Sequence, residues 1–280
     1  MRSLVNLCYG VSGHPWKALK HAFTCFSVLF TIIRAITHFI PAIKIEGYLP
    51  FGLALAISIV YAAVQGWKPS SVDIALANSN TVIEVIFGDI FQQDGLRAVA
   101  VNEFFDSKLG KPVSEKSVHG IFLQKCFGGH PESFDKQIDQ QLAGINGAKV
   151  KKVEGKSKSY PIGTTALLTV NRNRYLAFAF AKTDPNTCKA FSDVSTMMTA
   201  LHGLWQSARN ESGGHAVNLP LVGSGLSGIG LPTRDLLNLI ILSAITETKV
   251  REVTQRIRIV LHRDRFDDLD LRDVQEHWEK

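Results

Sequence analysis

A glycine-rich segment in the carboxyl-terminal third of the chain has the residue types and spacing of an anion-binding loop. It reads LPLVGSGLSGIGLP over residues 219–232 and lies between a predicted strand and a predicted helix. Its closely spaced glycines let several backbone N–H groups approach one anion, and the helix after Pro232 adds the positive end of its dipole. We therefore predict a diphosphate site. Its candidate ligand-binding residues are Gly223, Ser224, Gly225, Leu226, Ser227, Gly228 and Ile229.

The spacing of this loop distinguishes it from two common phosphate motifs. It lacks the Gly-Lys-Ser/Thr of a Walker A loop, and it does not follow the first strand of a domain as the dinucleotide fingerprint does. A tight turn that binds nothing remains the alternative interpretation.

Two further candidate sites follow predicted strands. Gly88, Asp89 and Ile90 end the first strand of the soluble part, where a carboxylate and the next backbone N–H can pair with adenine. An Asp after a Gly is also common in ordinary turns. Asn102, Glu103 and Phe104 follow the strand predicted at 97–101, at the sheet edge where open α/β sheets bind ligands. We include all six as candidate ligand-binding residues.

Motifs for catalysis or metal binding are missing from the sequence. The four cysteines have no ligand spacing and are expected to be unpaired thiols; they are Cys8, Cys25, Cys126 and Cys188. Ser224 lacks a nucleophile elbow with ordered acid and base partners. We therefore predict no catalytic residue, no metal and no cofactor.

The hydrophobic pattern alternates between strands and helices. Strands are predicted at 81–87, 97–101, 160–170, 175–181, 215–219 and 255–261, and helices at 114–127, 131–142, 187–211 and 232–248. This order predicts an α/β domain with a largely covered mixed sheet. Residues 264–280 are predicted to form a solvated amphipathic end.

Two apolar runs precede this domain. Residues 22–40 contain only Arg34 as an ionised group, and residues 49–65 contain none. Their lengths suit membrane crossing, which predicts a transmembrane helical hairpin. Basic residues before the first run and after the second place both ends in the cytoplasm. Arg34 either faces a polar interior or extends toward an interface.

Two alternatives to the hairpin are disfavoured. A signal peptide would be followed by a cleavage site rather than a second apolar run, and a buried core helix would be apolar on one stripe. The division is then 1–21 cytoplasmic segment, 22–67 hairpin, 68–79 linker and 80–280 soluble domain. The formal net charge of +6 comes from scattered residues without a nucleic-acid motif, so no nucleic-acid partner is expected.

The three candidate sites, in this order, resemble the macro domain family. Gly88-Asp89-Ile90 resembles its adenine motif, Asn102 lies where its distal-ribose motif begins, and 224–229 resembles its diphosphate loop. The resemblance implies a three-layer α/β/α fold that binds ADP-ribose. Phe105 stands where the family has a second asparagine, and residues 114–120 replace a glycine-rich loop. Both departures predict that the protein is not a hydrolase.

With its hairpin, the chain is similar to the two-pass macro effectors of type II Thoeris antiphage defence. That resemblance implies a homo-oligomer in the lipid bilayer that receives histidine-ADP-ribose from a TIR-domain enzyme. It also implies membrane disruption followed by host cell death or growth arrest. The alternatives are a membrane-tethered ADP-ribosyl hydrolase and a passive ADP-ribose reader.

Overall fold

The computed structural model describes residues 7, 11–12, 15–40, 48–225 and 228–279. The chain divides into two compact units. The hairpin unit comprises Met1–Ser70 and Asp270–Glu276, and the sheet unit comprises Ser71–Leu269 and His277–Lys280.

Two apolar helices pack together in the hairpin unit. Helix α1 is Pro15–Phe39 and α2 is Leu49–Gln65. The rings of Phe26 and Phe51 meet edge to face with centroids 5.4 Å apart. By length and composition α1 can cross a membrane, whereas α2 is a shorter apolar helix of 17 residues. The predicted connection between them lies largely in 41–47, outside the described residues.

The first helix begins earlier than the predicted boundary at residue 22. Pro15 occupies its first turn, a favourable position because proline lacks the N–H that would be unpaired there. The polar residues that follow, including Lys17 and Lys20, extend the helix beyond its apolar part.

The segment 264–280, predicted to be a solvated amphipathic end, is amphipathic, but it is not solvated throughout. Helix α7, Leu271–Trp278, buries Leu271 and Val274, which are three residues apart and so share one face. Arg272 donates a 2.8 Å hydrogen bond to the carbonyl of Gln65. Asp273 lies 3.5 Å from the ammonium of Lys17. These contacts join α7 to the hairpin unit.

The sheet unit contains a mixed sheet, as predicted. Its strands are β1 Ser71–Ala75, β2 Val82–Phe87, β3 Leu96–Asn102, β6 Thr165–Val170, β7 Asn173–Thr183, β8 Ala190–Phe191, β9 Val217–Pro220 and β10 Arg256–Leu261. Their order is β1-β2-β10-β9-β3-β7-β6, with β8 also paired to β7. The pairs from β2 to β7 are parallel, while β1, β6 and β8 pair antiparallel. Strands β4 (Ala148–Lys149) and β5 (Lys158–Ser159) form a separate ribbon.

The predicted linker at 68–79 is also wrong in part, because it contains β1. Residues of β1 alternate between exposed and buried, with Val72 and Ile74 inside, and Ser71 pairs with Ile86. The Pro, Ser and Asn content of the segment concealed this short period-2 pattern, which is typical of an edge strand.

Helices cover both faces of the sheet. They are α3 Val118–Phe127, α4 Pro131–Gln141, α5 Val194–Glu211 and α6 Thr233–Val250. Ala166 of β6 lies in the core cluster that Phe122 of α3 and Phe134 of α4 share. The neighbouring Thr165 instead places its hydroxyl 2.6 Å from Ser207 of α5. Because successive strand residues face opposite sides, α3 and α4 lie on one face and α5 on the other.

Helix α5 begins later than predicted because Asp193 caps it. The Asp193 carboxylate accepts a 2.7 Å hydrogen bond from the N–H of Thr196. The predicted start at 187 included Ala190–Phe191, which instead forms β8 against β7.

Close backbone approach fixes α5 beside the turn before β6. A Cβ at Gly203 would overlap the backbone of Gly163, and the N–H of Gly163 donates to the carbonyl of Ala179 in β7. We expect Gly203→Ala to cost about 1–3 kcal/mol of unfolding free energy through overpacking, although alanine favours helices. Urea unfolding of the full chain in detergent micelles, followed by tryptophan fluorescence, measures this.

Gly144→Ala is the matched control, because a Cβ at Gly144 meets no atom within 4 Å. Equal stabilities of the two variants would contradict a tight α5 contact.

Candidate functional site

A cavity lies at the carboxyl ends of three parallel strands. Its volume is about 710 Å³. Asn102 ends β3, Ala181 lies near the end of β7, and Pro220 ends β9; all three line it. The remaining lining includes residues 110–114 and 116–119, the turn 188–190 and the loop residues Gly223, Ser224 and Gly225. This is the sheet edge at which α/β proteins bind ligands.

The glycine loop presents backbone N–H groups that have no acceptor within the part of the chain that the structure describes. Gly223 has φ +86°, a left-handed conformation that glycine adopts without strain, and its carbonyl accepts from the N–H of Ile229 at 3.2 Å. The N–H of Gly228 donates to Gly225 at 3.0 Å. In the described part of the chain, the N–H groups of Ser224 and Gly225 have no acceptor. The geometry is that of a loop able to receive an anion.

Two of the predicted loop residues, Leu226 and Ser227, lie outside the described residues. Gly228 and Ile229 belong to the same loop but are not among the described residues that line the cavity. Ile229 packs close beneath Gly223, where a Cβ would be 2.7 Å from its Cδ1.

The predicted adenine residues lie at the same sheet edge but outside this cavity lining. Asp89 caps the short 3-10 helix Ile90–Gln92 by accepting from the N–H of Phe91 at 2.9 Å. Its second oxygen is 3.3 Å from the ammonium of Lys125. Strand β10 separates β2 from β9, so this carboxylate follows a strand about 10 Å from β9.

Asn102 lines the cavity, but its side chain is already hydrogen-bonded within the chain. Its Oδ1 accepts from the N–H groups of Phe104 and Asp106, each at 3.2 Å. Its Nδ2 donates to Asp106 at 2.8 Å. One amide proton remains for other partners.

Asp106 forms a buried ion pair with Lys152 that sequence reasoning missed. Both side chains are fully buried, and the Lys152 ammonium lies 4.1 Å from the centroid of the Phe104 ring. The N–H of Lys156 donates to the other Asp106 oxygen at 2.6 Å. Lys152 lies in a run of lysines at 149–158, and nothing in that run marks one of them as buried.

The other two residues predicted after β3 point elsewhere. Glu103 accepts from the N–H of Thr183 at 3.2 Å, and Phe104 is only 1% exposed. Neither is among the described residues that line the cavity. Phe105 is fully buried in the α3–α4 core, with φ +50°.

Comparison with known proteins identifies the sheet unit. The family model described as "Thoeris protein ThsA, Macro domain" matches residues 83–262, well over half of the chain. The chain belongs to this family. Among curated proteins, none matches the chain.

Solved macrodomain structures support the fold. The macrodomain of Oceanobacillus iheyensis with ADP is 11% identical, with 74% of this chain and 96% of that chain covered and a TM-score of 0.51. The same macrodomain with MES bound is 12% identical, with 74% and 98% covered and a TM-score of 0.50. At such identities the likeness establishes the macro fold alone.

In this ThsA-type macro domain, His119 forms a neutral part of the cavity wall. It is 6% exposed, and its Nε2 has no hydrogen-bond partner among the described residues. Burial lowers the pKa of His119 to about 3, and the neighbouring Lys156 ammonium adds to the shift. No group of three His, Cys, Asp or Glu able to hold a metal occurs in the described ranges.

Removing one member of the buried ion pair should destabilise the macro domain. Lys152→Met leaves the Asp106 carboxylate buried beside Asn102, and we expect a loss of about 3–5 kcal/mol of unfolding free energy. Adding Asp106→Asn should recover part of it, because no uncompensated charge remains. Lys151→Met, at an exposed neighbour, is the control. Urea unfolding that separates Lys152→Met from this control by under about 1 kcal/mol would contradict the assignment.

The buried His119 predicts a specific pH dependence of stability. Its folded pKa of about 3 lies below the ordinary value of 6.5, so the unfolded chain binds more protons. This contribution is complete above the ordinary value and is lost as the pH falls below it. From about pH 7 to about pH 5, the wild type should lose about 2 kcal/mol more than His119→Gln.

Urea unfolding at both pH values tests this, with the exposed His215→Gln as control. The control should keep the wild-type slope, and parallel slopes for all three proteins would refute the burial of a neutral His119.

Proposed function

We propose that this protein is a ligand-gated membrane effector of antiphage defence. Its macro domain binds an ADP-ribose-derived signal, histidine-ADP-ribose, and its hairpin then disrupts the membrane and arrests or kills the host cell. The observation that carries the proposal is a cavity with unpaired N–H groups at Ser224 and Gly225, in a ThsA-type macro domain on a chain with an apolar hairpin.

The dimensions of the site support a dinucleotide-like ligand. A diphosphate on the loop 223–225 would lie about two strand spacings from Asp89, a distance that the adenosine half can bridge. The distal ribose would then lie in the cavity near Asn102. The solved neighbour with ADP has the same fold.

The hairpin supports a location in the inner membrane with both ends cytoplasmic. Lys17 and Lys20 lie at the start of α1 and Lys68 follows α2, so basic residues flank both helices on one side. A two-helix hairpin is too small to enclose a pore, so the proposal requires a homo-oligomer. Arg34 then lies within the bundle or at its edge.

We further propose that the signal is bound and not hydrolysed. Asn102 uses its carbonyl oxygen and one amide proton on Phe104 and Asp106, and Phe105 lies in the core. Few polar groups are therefore left to place a water beside the distal ribose. The upstream enzyme would be a TIR-domain protein that makes the conjugate.

Dye release from liposomes containing the full chain tests the proposal. We expect histidine-ADP-ribose to release trapped dye from phosphatidylethanolamine–phosphatidylglycerol vesicles and to increase the oligomer size. Gly225→Glu should abolish release, because it places a carboxylate beside the diphosphate position, where a Cβ meets no atom within 4 Å. Gly225→Gln is the control of similar shape without the charge.

The outcomes separate the candidate functions. Binding without dye release or a change of oligomer would support a passive ADP-ribose reader. Recovery of cleaved ligand by mass spectrometry would support a hydrolase. Absence of binding to both ADP-ribose and its histidine conjugate would refute all three.

A further inference from the structure

The cavity carries more positive charge than its glycine loop explains. Three lysines line it, Lys111, Lys116 and Lys189, and all are exposed. No aspartate or glutamate is among the described residues of the lining. Within the described ranges, none of the three forms an ion pair within 4 Å. The lining therefore carries a net positive charge, which is reduced in part at Lys111 because the Glu154 carboxylate is near enough to interact with it.

Each lysine is carried by a turn whose backbone is held in place. The N–H of Val113 donates to Lys108 across the turn that holds Lys111. Ser117 donates both its N–H and its hydroxyl to the carbonyl of Ser114, around Lys116. Asp184 organises the turn before Lys189 by accepting from three donors of Asn186 and Thr187. The backbone that carries the three lysines is thus ordered before any ligand binds, which reduces the entropic cost of binding.

The same wall contains a helix N-terminus and a buried polar ring. Ser117 caps α3, and residues 117–119 line the cavity, so the positive end of the helix dipole faces it. His119 lines it too, and its Nε2 has no partner among the described residues. Because this histidine is neutral, the ionised groups of the cavity wall are the three lysines.

We propose that Lys111, Lys116 and Lys189, with the N-terminus of α3, form a second anion subsite that binds an acidic group attached to the distal ribose of the ligand. The inference rests on the proposed function, because it assumes that the diphosphate occupies the glycine loop. The acidic group is a carboxylate or a phosphate, both of which ammonium groups and helix N-termini bind. Plain ADP-ribose leaves this subsite empty, so the lysines make the site selective for the conjugate.

Calorimetric titration of the full chain in detergent micelles tests the subsite. The ligands are ADP-ribose, histidine-ADP-ribose, histamine-ADP-ribose and ADP-ribose 1″-phosphate. Histidine and histamine conjugates differ only in the carboxylate, so their affinity ratio isolates it. We expect the wild type to bind the histidine conjugate at least tenfold more tightly than histamine-ADP-ribose, or the 1″-phosphate at least tenfold more tightly than ADP-ribose; in each pair the second ligand lacks the acidic group. Whichever acid gains affinity identifies the source.

The variant is the triple substitution Lys111→Gln, Lys116→Gln and Lys189→Gln. It should reduce the preference for the acidic ligand to under about threefold while ADP-ribose still binds. The control is Lys136→Gln, Lys149→Gln and Lys249→Gln, which removes the same charge from exposed positions outside the cavity. This control should keep the preference.

Failure of the subsite and failure of the proposed function give different results. Equal binding of all four ligands by the wild type, or a preference that survives the triple variant, overturns the subsite and leaves the macro domain as an ADP-ribose receptor. If none of the four binds, the proposed function itself falls.

Discussion

The buried pair of Asp106 and Lys152 is the interaction on which the rest of the site depends. It joins the turn after β3 to the segment 150–156, which is distant in sequence. Removing two charges from water is costly. The pair is tolerated because Asn102 and the N–H of Lys156 also donate hydrogen bonds to the Asp106 carboxylate. Asn102, which lines the cavity, therefore cannot turn toward a ligand without breaking its hydrogen bonds to Asp106.

The hydrogen bonds between Asn102 and the turn that follows it explain why Phe105 is compatible with the fold. Its left-handed φ of +50° directs the chain so that Phe104 lies beneath the Lys152 ammonium and Phe105 enters the α3–α4 core, edge to face with Tyr160. A non-glycine residue with φ above zero is strained, and the hydrogen bonds that the Asn102 side-chain oxygen accepts from the N–H groups of Phe104 and Asp106 offset that strain. The turn after β3 is therefore built for rigidity.

Local patterns in the sequence predicted much of this molecule. The central strands, the glycine loop and the two apolar helices each have a signal within a few consecutive residues, and the structure contains all of them. The pairing of Asp106 with Lys152 could not be predicted, because the two lie 46 residues apart and each looks like an ordinary surface charge. Strand β1 was missed because its alternation spans only five residues. Helix α7 was missed because its apolar contacts depend on tertiary packing.

The positions of N–H groups without acceptors and of lysines without ion pairs indicate where a ligand can gain binding free energy. Asn102 lines the cavity and is hydrogen-bonded to Asp106, which in turn pairs with Lys152. A ligand gains little at Asn102, because it would have to displace these existing bonds. Around the cavity, the Ser224 and Gly225 N–H groups have no acceptor in the described residues. Within the same residues the three lysines of the lining form no ion pair within 4 Å. An anion that binds there gains hydrogen bonds and charge interactions without breaking a hydrogen bond that the structure describes. The groups that surround the cavity are therefore suited to holding an anionic ligand by its phosphates and its acidic substituent.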